Sequence, residues 1–174
     1  LKKAYAKGIE LRGRTLGIVG FGRIGREVAK IAIGIGMDVI AYDLYPFNPE
    51  VEMVLGGGIA VKASVKTATL EEIIANADFI SLHTPFVGKA LFGAEELEKM
   101  KKGVGLVNCS RGGLIDELAL VAALDSGKVA FAALDVFDNE PTPREEILKH
   151  PKISLTPHIG AATGEAQERI GVEL

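Results

Sequence analysis

The chain has 174 residues, of which 48% are hydrophobic and 25% charged, and its formal net charge is −3 at pH 7. This composition is typical of one globular domain with a full core, and it gives no reason to expect a nucleic acid or a membrane as partner. The single cysteine, Cys109, excludes an internal disulfide and favours a reducing cytoplasm.

The first half of the chain contains a strand, a glycine turn, a helix and a second strand in close succession. Residues 1–14 predict the end of a helix and a lead-in, and residues 16–19 form a short apolar strand. Gly20-Phe21-Gly22-Arg23-Ile24-Gly25 follows as a G-x-G-x-x-G turn, and the second strand ends on Asp43. A dinucleotide fingerprint places its acidic residue roughly 20 positions after the glycines, as here. The stretch therefore predicts a dinucleotide site.

Each residue of this fingerprint has a physical task. Gly20 allows the tight turn, Gly22 lets the backbone approach a pyrophosphate, and Gly25 lets the helix pack close to the strand. The amides at the helix start would hold the phosphates. Asp43 would accept hydrogen bonds from the ribose hydroxyls and repel a 2′-phosphate, which predicts NAD rather than NADP. A plain strand–helix–strand unit with a glycine-rich turn is the alternative.

The remaining pattern alternates strands and helices to the end of the chain. We expect strands near 59–63, 79–82, 104–108, 130–134 and 153–155, and helices over 51–55, 69–76, 94–100, 116–126, a capping box from Thr142, and a last helix near Thr163. The inward helix faces are predicted at Ile24, Val28, Ile31, Ala32 and Ile35, with Gly34 and Gly36 at the helix end, and at Leu118, Val121 and Ala122. The predicted fold is α/β, a doubly wound parallel sheet of Rossmann type in three α/β/α layers.

Polar residues follow the predicted strands, at the sheet edge where such folds bind ligands. They are Asp43, His83, Thr84, Cys109, Arg111, Asp135, Glu140 and His158. Taken singly, Arg111 could be a surface arginine, and Glu140 and His158 could be ordinary loop residues. His83 is interpreted as structural, and Cys109 as a small buried hydrophobic residue rather than a nucleophile.

Four ordered runs resemble the D-isomer-specific 2-hydroxyacid dehydrogenases over nearly the whole chain. They are the glycine turn 20–25, Asn108-Cys109-Ser110-Arg111-Gly112-Gly113, Ala133-Leu134-Asp135-Val136-Phe137 with Asn139-Glu140-Pro141, and Thr156-Pro157-His158-Ile159-Gly160-Ala161-Ala162-Thr163. The resemblance implies NAD as cofactor and a small 2-hydroxy or 2-keto acid as substrate.

The resemblance also implies roles for single residues. Arg111 would bind the substrate carboxylate and carbonyl oxygen, His158 would exchange the hydroxyl proton, and Glu140 would fix the imidazole tautomer and favour its charged form. Asp135 would hold the nicotinamide carboxamide and Thr84 would lie near the adenosine. The implied catalytic set is Arg111, Glu140 and His158, without a metal, and the implied cofactor set is Gly20, Gly22, Arg23, Ile24, Gly25, Asp43, Thr84, Cys109, Ser110, Arg111, Asp135, His158, Gly160 and Ala161.

Two departures from the family pattern bear on these expectations. The loop over residues 85–91 is shorter than usual, which affects the adenine side of the site. The family's substrate domain is built from segments before and after the cofactor domain, so residues 1–174 are expected to be the NAD-binding domain alone. The resemblance implies a homo-oligomer, a dimer or tetramer. An NAD-sensing transcriptional corepressor of the same family is the alternative function.

Overall fold

The computed structural model describes residues 8–173, so the helix expected at the start of the chain lies outside the described residues. The strands are β1 (Thr15–Val19), β2 (Asp38–Tyr42), β3 (Glu50–Val54), β4 (Ala60–Ser64), β5 (Lys66–Thr67), β6 (Phe79–Leu82), β7 (Val104–Asn108), β8 (Val129–Leu134) and β9 (Ile153–Leu155). The α-helices are α1 (Arg23–Gly34), α2 (Leu70–Asn76), α3 (Ala94–Lys99), α4 (Glu117–Ser126), α5 (Glu145–Leu148) and α6 (Gly164–Glu173).

A seven-stranded sheet in the order β5-β2-β1-β6-β7-β8-β9 forms the centre of the molecule. Its paired strands run parallel throughout. The strand order reverses at β1, which lies between β2 and β6, and this is the switch point at which doubly wound folds bind nucleotides. The predicted fold class is confirmed.

Two hydrophobic clusters fill the space between the sheet and its helices. One contains Ile80 and Leu106 of the sheet with Ile73 of α2 and Leu124 of α4, and the other contains Ile18 of β1 with residues of α1. The buried side chains alternate between the two clusters along β1, since Ile18 belongs to one cluster and Val19 to the other. A sheet with apolar cores on both faces gives the expected three layers.

The inward face predicted for α1 is wrong at three positions. Ile24, Ile31 and Ile35 are exposed by 68%, 67% and 43%, while the buried residues of the helix are Gly25, Ala29 and Ala32. A Cβ atom on Gly25 would lie 2.2 Å from the carbonyl oxygen of Gly20, so only small residues fit where α1 approaches the sheet. The predicted end of the helix is confirmed, because α1 ends at Gly34 and Gly36 has φ +86°.

The helix predicted over 51–55 is also wrong, because residues 51–54 belong to strand β3, which pairs antiparallel with β4. Charged and apolar residues alternate over the first four positions of β3, and Val51 is buried. The Arg26 side chain fixes this hairpin to α1 by donating through Nη1 to the Asn48 carbonyl at 2.6 Å and through Nη2 to the Glu50 carbonyl. Edge strand β5 was not predicted.

Two further helices differ from expectation in detail. Leu118 of α4 is 52% exposed and Ala122 is exposed, while Glu117 and Leu120 are buried, so the predicted inward face is rotated. Helix α5 begins after Arg144 without a side-chain cap, so the capping box predicted from Thr142 does not form. The capping box of α2 is present as predicted: the Thr69 side chain accepts from the Glu72 amide at 3.2 Å.

Ile31 and Ile73 offer a matched test of the corrected core, because both are helical isoleucines and only Ile73 is buried. Ile73→Ala should lower the free energy of unfolding by about 2 to 5 kcal/mol. Ile31→Ala should change it by no more than about 0.5 kcal/mol. Urea unfolding of both variants measures the difference, and an equal loss at the two positions would contradict the observed orientation of α1.

Candidate functional site

The glycine turn between β1 and α1 has the geometry that a pyrophosphate site requires. Gly20 has φ +94°, and a Cβ atom there would lie 2.5 Å from the carbonyl oxygen of His83, so the turn can close only around glycine. At Gly22, by contrast, a Cβ atom would meet no described atom within 4 Å. The open space lies at the N-terminus of α1, where backbone amides and the helix dipole favour an anion. These residues fit the diphosphate of a dinucleotide.

Asp43 joins the end of β2 to the glycine turn. Its Oδ2 accepts a hydrogen bond from the Phe21 amide at 2.7 Å, and its Oδ1 accepts one from the Tyr45 amide at 3.2 Å. Each carboxylate oxygen can accept a further hydrogen bond, so Asp43 retains the capacity to bind ribose hydroxyls. Arg23 and Ile24 open α1 beside it and both are exposed.

His83 and Thr84 follow β6 on the other side of the switch point. Burial lowers the pKa of His83, and its Nε2 lies 2.9 Å from the hydroxyl oxygen of Ser81, which supports the structural interpretation of this histidine. The Thr84 hydroxyl is buried and has no hydrogen-bond partner among the described residues. An unsatisfied hydroxyl next to the glycine turn is consistent with a ligand contact on this side.

The loop after β7 is fixed by a buried asparagine that the sequence interpretation passed over. Asn108 Oδ1 accepts from the Ser110 amide at 3.1 Å, and its Nδ2 donates to the Arg111 carbonyl at 2.9 Å. The Ser110 hydroxyl donates to the Thr84 carbonyl at 2.5 Å, which ties this loop to the end of β6. Arg111 is thus presented from a rigid loop, with its side chain exposed. The signal in the sequence is an Asn-x-Ser turn directly after a buried strand.

Cys109 lies between Asn108 and Ser110 in the chain, and the residue is exposed. Partial burial of its sulfur and the nearby Asp135 carboxylate raise the pKa of the thiol, so the reactive thiolate is disfavoured. The raised pKa agrees with the interpretation that Cys109 is not a nucleophile, but the expected burial is wrong, because the residue is exposed at the end of β7.

Asp135, at the end of β8, is 3% exposed and binds the loop that carries His158. Its Oδ1 accepts from the Thr156 hydroxyl at 2.6 Å and the Ile159 amide at 2.9 Å, and its Oδ2 accepts from the Gly160 amide at 2.9 Å. Burial acts to raise the pKa of Asp135, but these hydrogen bonds outweigh it and the pKa lies below its ordinary value. The carboxylate therefore positions the loop, a task that the sequence interpretation did not assign to it.

His158 and Glu140 form a close pair at this edge. His158 Nδ1 lies 2.7 Å from Glu140 Oε2, and Glu140 Oε1 accepts from the Phe137 amide at 3.0 Å. The hydrogen bond with His158, followed by that with the Phe137 amide, lowers the pKa of Glu140, so its carboxylate is ionised at neutral pH. With Nδ1 engaged, Nε2 is the ring nitrogen available for proton exchange with a ligand.

One cleft of about 660 Å³ brings the three expected catalytic residues together. Arg111, Glu140 and His158 all line it, together with Phe86 and Lys89 of the short loop after β6. The expected cofactor residues Gly160 and Ala161 follow His158 directly, and the Gly160 amide is already bound by Asp135.

The part of the chain that the structure describes contains neither a candidate metal site nor a membrane-spanning helix. Across residues 8–173, no group of three or more histidine, cysteine, aspartate or glutamate side chains is arranged to hold a metal ion. In the same part of the chain, no helix has the length and apolar character needed to cross a membrane.

The glycine turn at the switch point defines a Rossmann-type nucleotide-binding domain, and a histidine–glutamate pair lies in a cleft of the same domain. A family model described as the NAD-binding domain of D-isomer-specific 2-hydroxyacid dehydrogenases matches residues 1–160. The chain belongs to this family, and NAD is its cofactor.

Curated relatives and solved structures support the same assignment. The chain is 47% identical to D-3-phosphoglycerate dehydrogenase of Bacillus subtilis over 99% of its length, and 45% identical to hydroxypyruvate reductase of Thermotoga maritima. It covers 31% of the first relative and 54% of the second, so it spans only part of either protein. A glyoxylate reductase structure from Paecilomyes thermophila superposes with a TM-score of 0.83 at 41% identity, over 95% of this chain and 48% of that one. These relatives give no support to the corepressor alternative.

Asp135→Asn tests the role of the buried carboxylate. An asparagine retains one acceptor oxygen but places an amide donor opposite the Gly160 amide, so the variant should lose about 1 to 3 kcal/mol of unfolding free energy. Because the pKa of Asp135 is depressed, its contribution is present above its ordinary pKa of about 3.9 and is lost as the pH falls. Urea unfolding should show the difference from wild type shrinking below about pH 4. Asp38→Asn, at an exposed aspartate, is the control, and an equal loss there would contradict the role.

Proposed function

We propose that the protein containing this chain is an NAD-dependent D-2-hydroxyacid dehydrogenase that oxidises D-3-phosphoglycerate, the first step of serine biosynthesis. The observation that carries the proposal is the His158–Glu140 pair, 2.7 Å apart, lining one cleft with Arg111. The identity of 45% or more to several D-3-phosphoglycerate dehydrogenases supports the choice of substrate.

The residues of the glycine turn would hold NAD. Gly22 and the first amides of α1 would bind its pyrophosphate. Asp43 would accept hydrogen bonds from the ribose hydroxyls and would repel a 2′-phosphate. Thr84, with its unsatisfied hydroxyl, would lie on the adenosine side. The bound nicotinamide supplies the hydride acceptor for oxidation and the hydride donor for reduction.

The chain's own residues would carry the acid–base chemistry. His158 Nε2 would take the proton of the substrate hydroxyl during oxidation and return it to the carbonyl oxygen during reduction. Glu140, ionised beside Nδ1, would fix the tautomer that leaves Nε2 able to accept. The Arg111 guanidinium would bind the substrate carboxylate. It would also stabilise the negative charge that develops on the substrate's carbonyl oxygen during hydride transfer.

The complete protein would contain a second domain beside this one. Residues 1–174 would be the NAD-binding domain, and a substrate domain built from flanking segments would close over the cleft and exclude water. The cofactor set would comprise the glycine turn with Arg23 and Ile24, then Asp43 and Thr84, the loop 109–111, Asp135, and the run 158–161. The complete protein would be a cytoplasmic homo-oligomer.

Turnover by the complete protein tests this proposal. With D-3-phosphoglycerate as substrate, the protein should reduce NAD to NADH, and kcat/KM should be higher for NAD than for NADP. His158→Ala should lower kcat by about 10² to 10⁴ because the proton acceptor is lost. His150→Ala is the matched control, since His150 pairs with Asp125 at 3.3 Å as His158 pairs with Glu140 but does not line the cleft.

The outcomes separate the substrate from the reaction class. Higher efficiency with glycerate or glycolate than with D-3-phosphoglycerate would contradict the proposed substrate. Absence of NAD-dependent turnover with every 2-hydroxy and 2-keto acid tried would contradict the reaction class itself. Full activity of His158→Ala would contradict the assigned proton acceptor.

A further inference from the structure

Glu117 is a buried carboxylate that the proposed mechanism does not use. It is the first residue of α4, a position where glutamate side chains usually face solvent, yet only 5% of its surface is exposed. Its Oε1 accepts a hydrogen bond from the Asp138 amide at 2.9 Å. Its Oε2 lies 3.4 Å from Arg144 Nε, which is close enough for an ion pair although the geometry is not that of a hydrogen bond.

Both partners of Glu117 belong to residues 136–144, which we call the Glu140 segment. This segment connects β8 to α5 and contains no residue of either element. Asp138 lies two positions before Glu140 and Arg144 four positions after it, so the Glu117 carboxylate binds the segment on both sides of Glu140. A backbone without ladder hydrogen bonds depends on such contacts for a defined position.

The chain just before α4 touches the same segment. A Cβ atom on Gly112 would lie 1.9 Å from the Phe137 carbonyl oxygen, so the backbone next to Arg111 packs directly on the Glu140 segment. The stretch from Arg111 to Glu117 therefore presents the arginine of the cleft and also supports the segment that carries Glu140. A shift of this stretch would therefore change the distance between Arg111 and Glu140.

We propose that Glu117 is a positioning residue for the Glu140–His158 pair: by binding Asp138 and Arg144 it holds Glu140 where its carboxylate meets the imidazole. This inference rests on the proposed function for its catalytic consequence. The structural claim is that the position of Glu140 depends on Glu117, and it rests only on the contacts of Glu117 with Asp138 and Arg144.

The electrostatics of Glu117 separate positioning from stability. Burial raises its pKa, the Asp138 amide and Arg144 act to lower it, the Asp138 and Asp116 carboxylates act to raise it, and the net direction is upward. A raised carboxyl pKa means that the folded state favours the protonated form, so any stabilisation is present at low pH and is lost as the pH rises through that pKa. A negative charge on Glu117 therefore adds nothing to the free energy of unfolding, and the case for positioning stands on the contacts with Asp138 and Arg144.

Glu117→Gln tests the inference in the complete protein. Glutamine can still accept from the Asp138 amide but cannot pair with Arg144, so the Glu140 segment should loosen. We expect kcat to fall by about 10-fold to 100-fold, as for small misplacements of catalytic groups, with the KM for NAD unchanged. The melting temperature should be equal to or above that of wild type, which a purely structural role would not predict.

A second readout does not depend on activity. The pKa of Glu140, which the hydrogen bond with His158 lowers, should return towards its ordinary value in Glu117→Gln when its carboxyl carbon is followed by NMR titration. Arg144→Gln removes the other partner of the ion pair, so it should shift the Glu140 pKa in the same direction. This variant replaces Glu117→Gln in the test if Glu117→Gln does not fold. Glu98→Gln, at a glutamate whose side chain is 82% exposed, is the control.

The two readouts separate the two proposals. An unchanged Glu140 pKa and an unchanged kcat in both variants would overturn the positioning role, even in a protein with full dehydrogenase activity. If the wild-type protein oxidises no 2-hydroxy acid, the proposed function fails, and the Glu140 pKa alone decides whether Glu117 positions the pair. A fall in melting temperature with an unchanged Glu140 pKa would assign Glu117 to stability instead.

Discussion

The buried Asp135 carboxylate is the constraint on which the geometry of the site depends. His158 has φ 54°, a left-handed conformation that a residue other than glycine rarely adopts and that costs on the order of 1 to 3 kcal/mol. The residues on both sides of it, Thr156, Ile159 and Gly160, donate to Asp135. Hydrogen bonds to a charged group contribute about 1.5 to 3 kcal/mol each, so three of them outweigh the strain. The imidazole is thus held before any ligand arrives.

The second half of the pair is held by a different set of contacts. Glu140 belongs to a segment that lies on Gly112 and on the Glu117 carboxylate, so its position is set by the start of α4 and not by Asp135. The His158–Glu140 hydrogen bond of 2.7 Å is where the two separately anchored loops meet. Because both loops leave the carboxyl edge of the same sheet, a rigid core fixes the distance between them. This arrangement is preorganisation in structural terms: the geometry of the His158–Glu140 pair is determined by the buried Asp135 and Glu117 carboxylates.

The sequence predicted the fold class, because glycines and apolar strands are local signals, and the family resemblance of its motifs predicted three residues of the cleft, Arg111, Glu140 and His158. It failed where burial depends on tertiary packing: the isoleucine stripe of α1 has a helical period, but period alone does not say which stripe faces the sheet, and Gly25 and Ala29 face it instead. The helix prediction over 51–55 fails because the alternation along β3 is short, whereas the strand predicted near 59–63 is confirmed by β4. Asp135 was assigned to the cofactor and Glu117 was passed over, since no sequence pattern shows which buried carboxylate meets which backbone amide.

Amide hydrogen exchange at Ile159 and Gly160, followed by NMR in the complete protein without ligand, tests the central claim most directly. If the Asp135 carboxylate fixes the His158 loop in advance, both amides should exchange much more slowly than the amide of exposed Gly164, which begins α6 nearby in the chain. The protection should be present before NAD is added and should change little afterwards. Exchange at Ile159 and Gly160 as fast as at Gly164, with protection that arises only on NAD binding, would contradict the account.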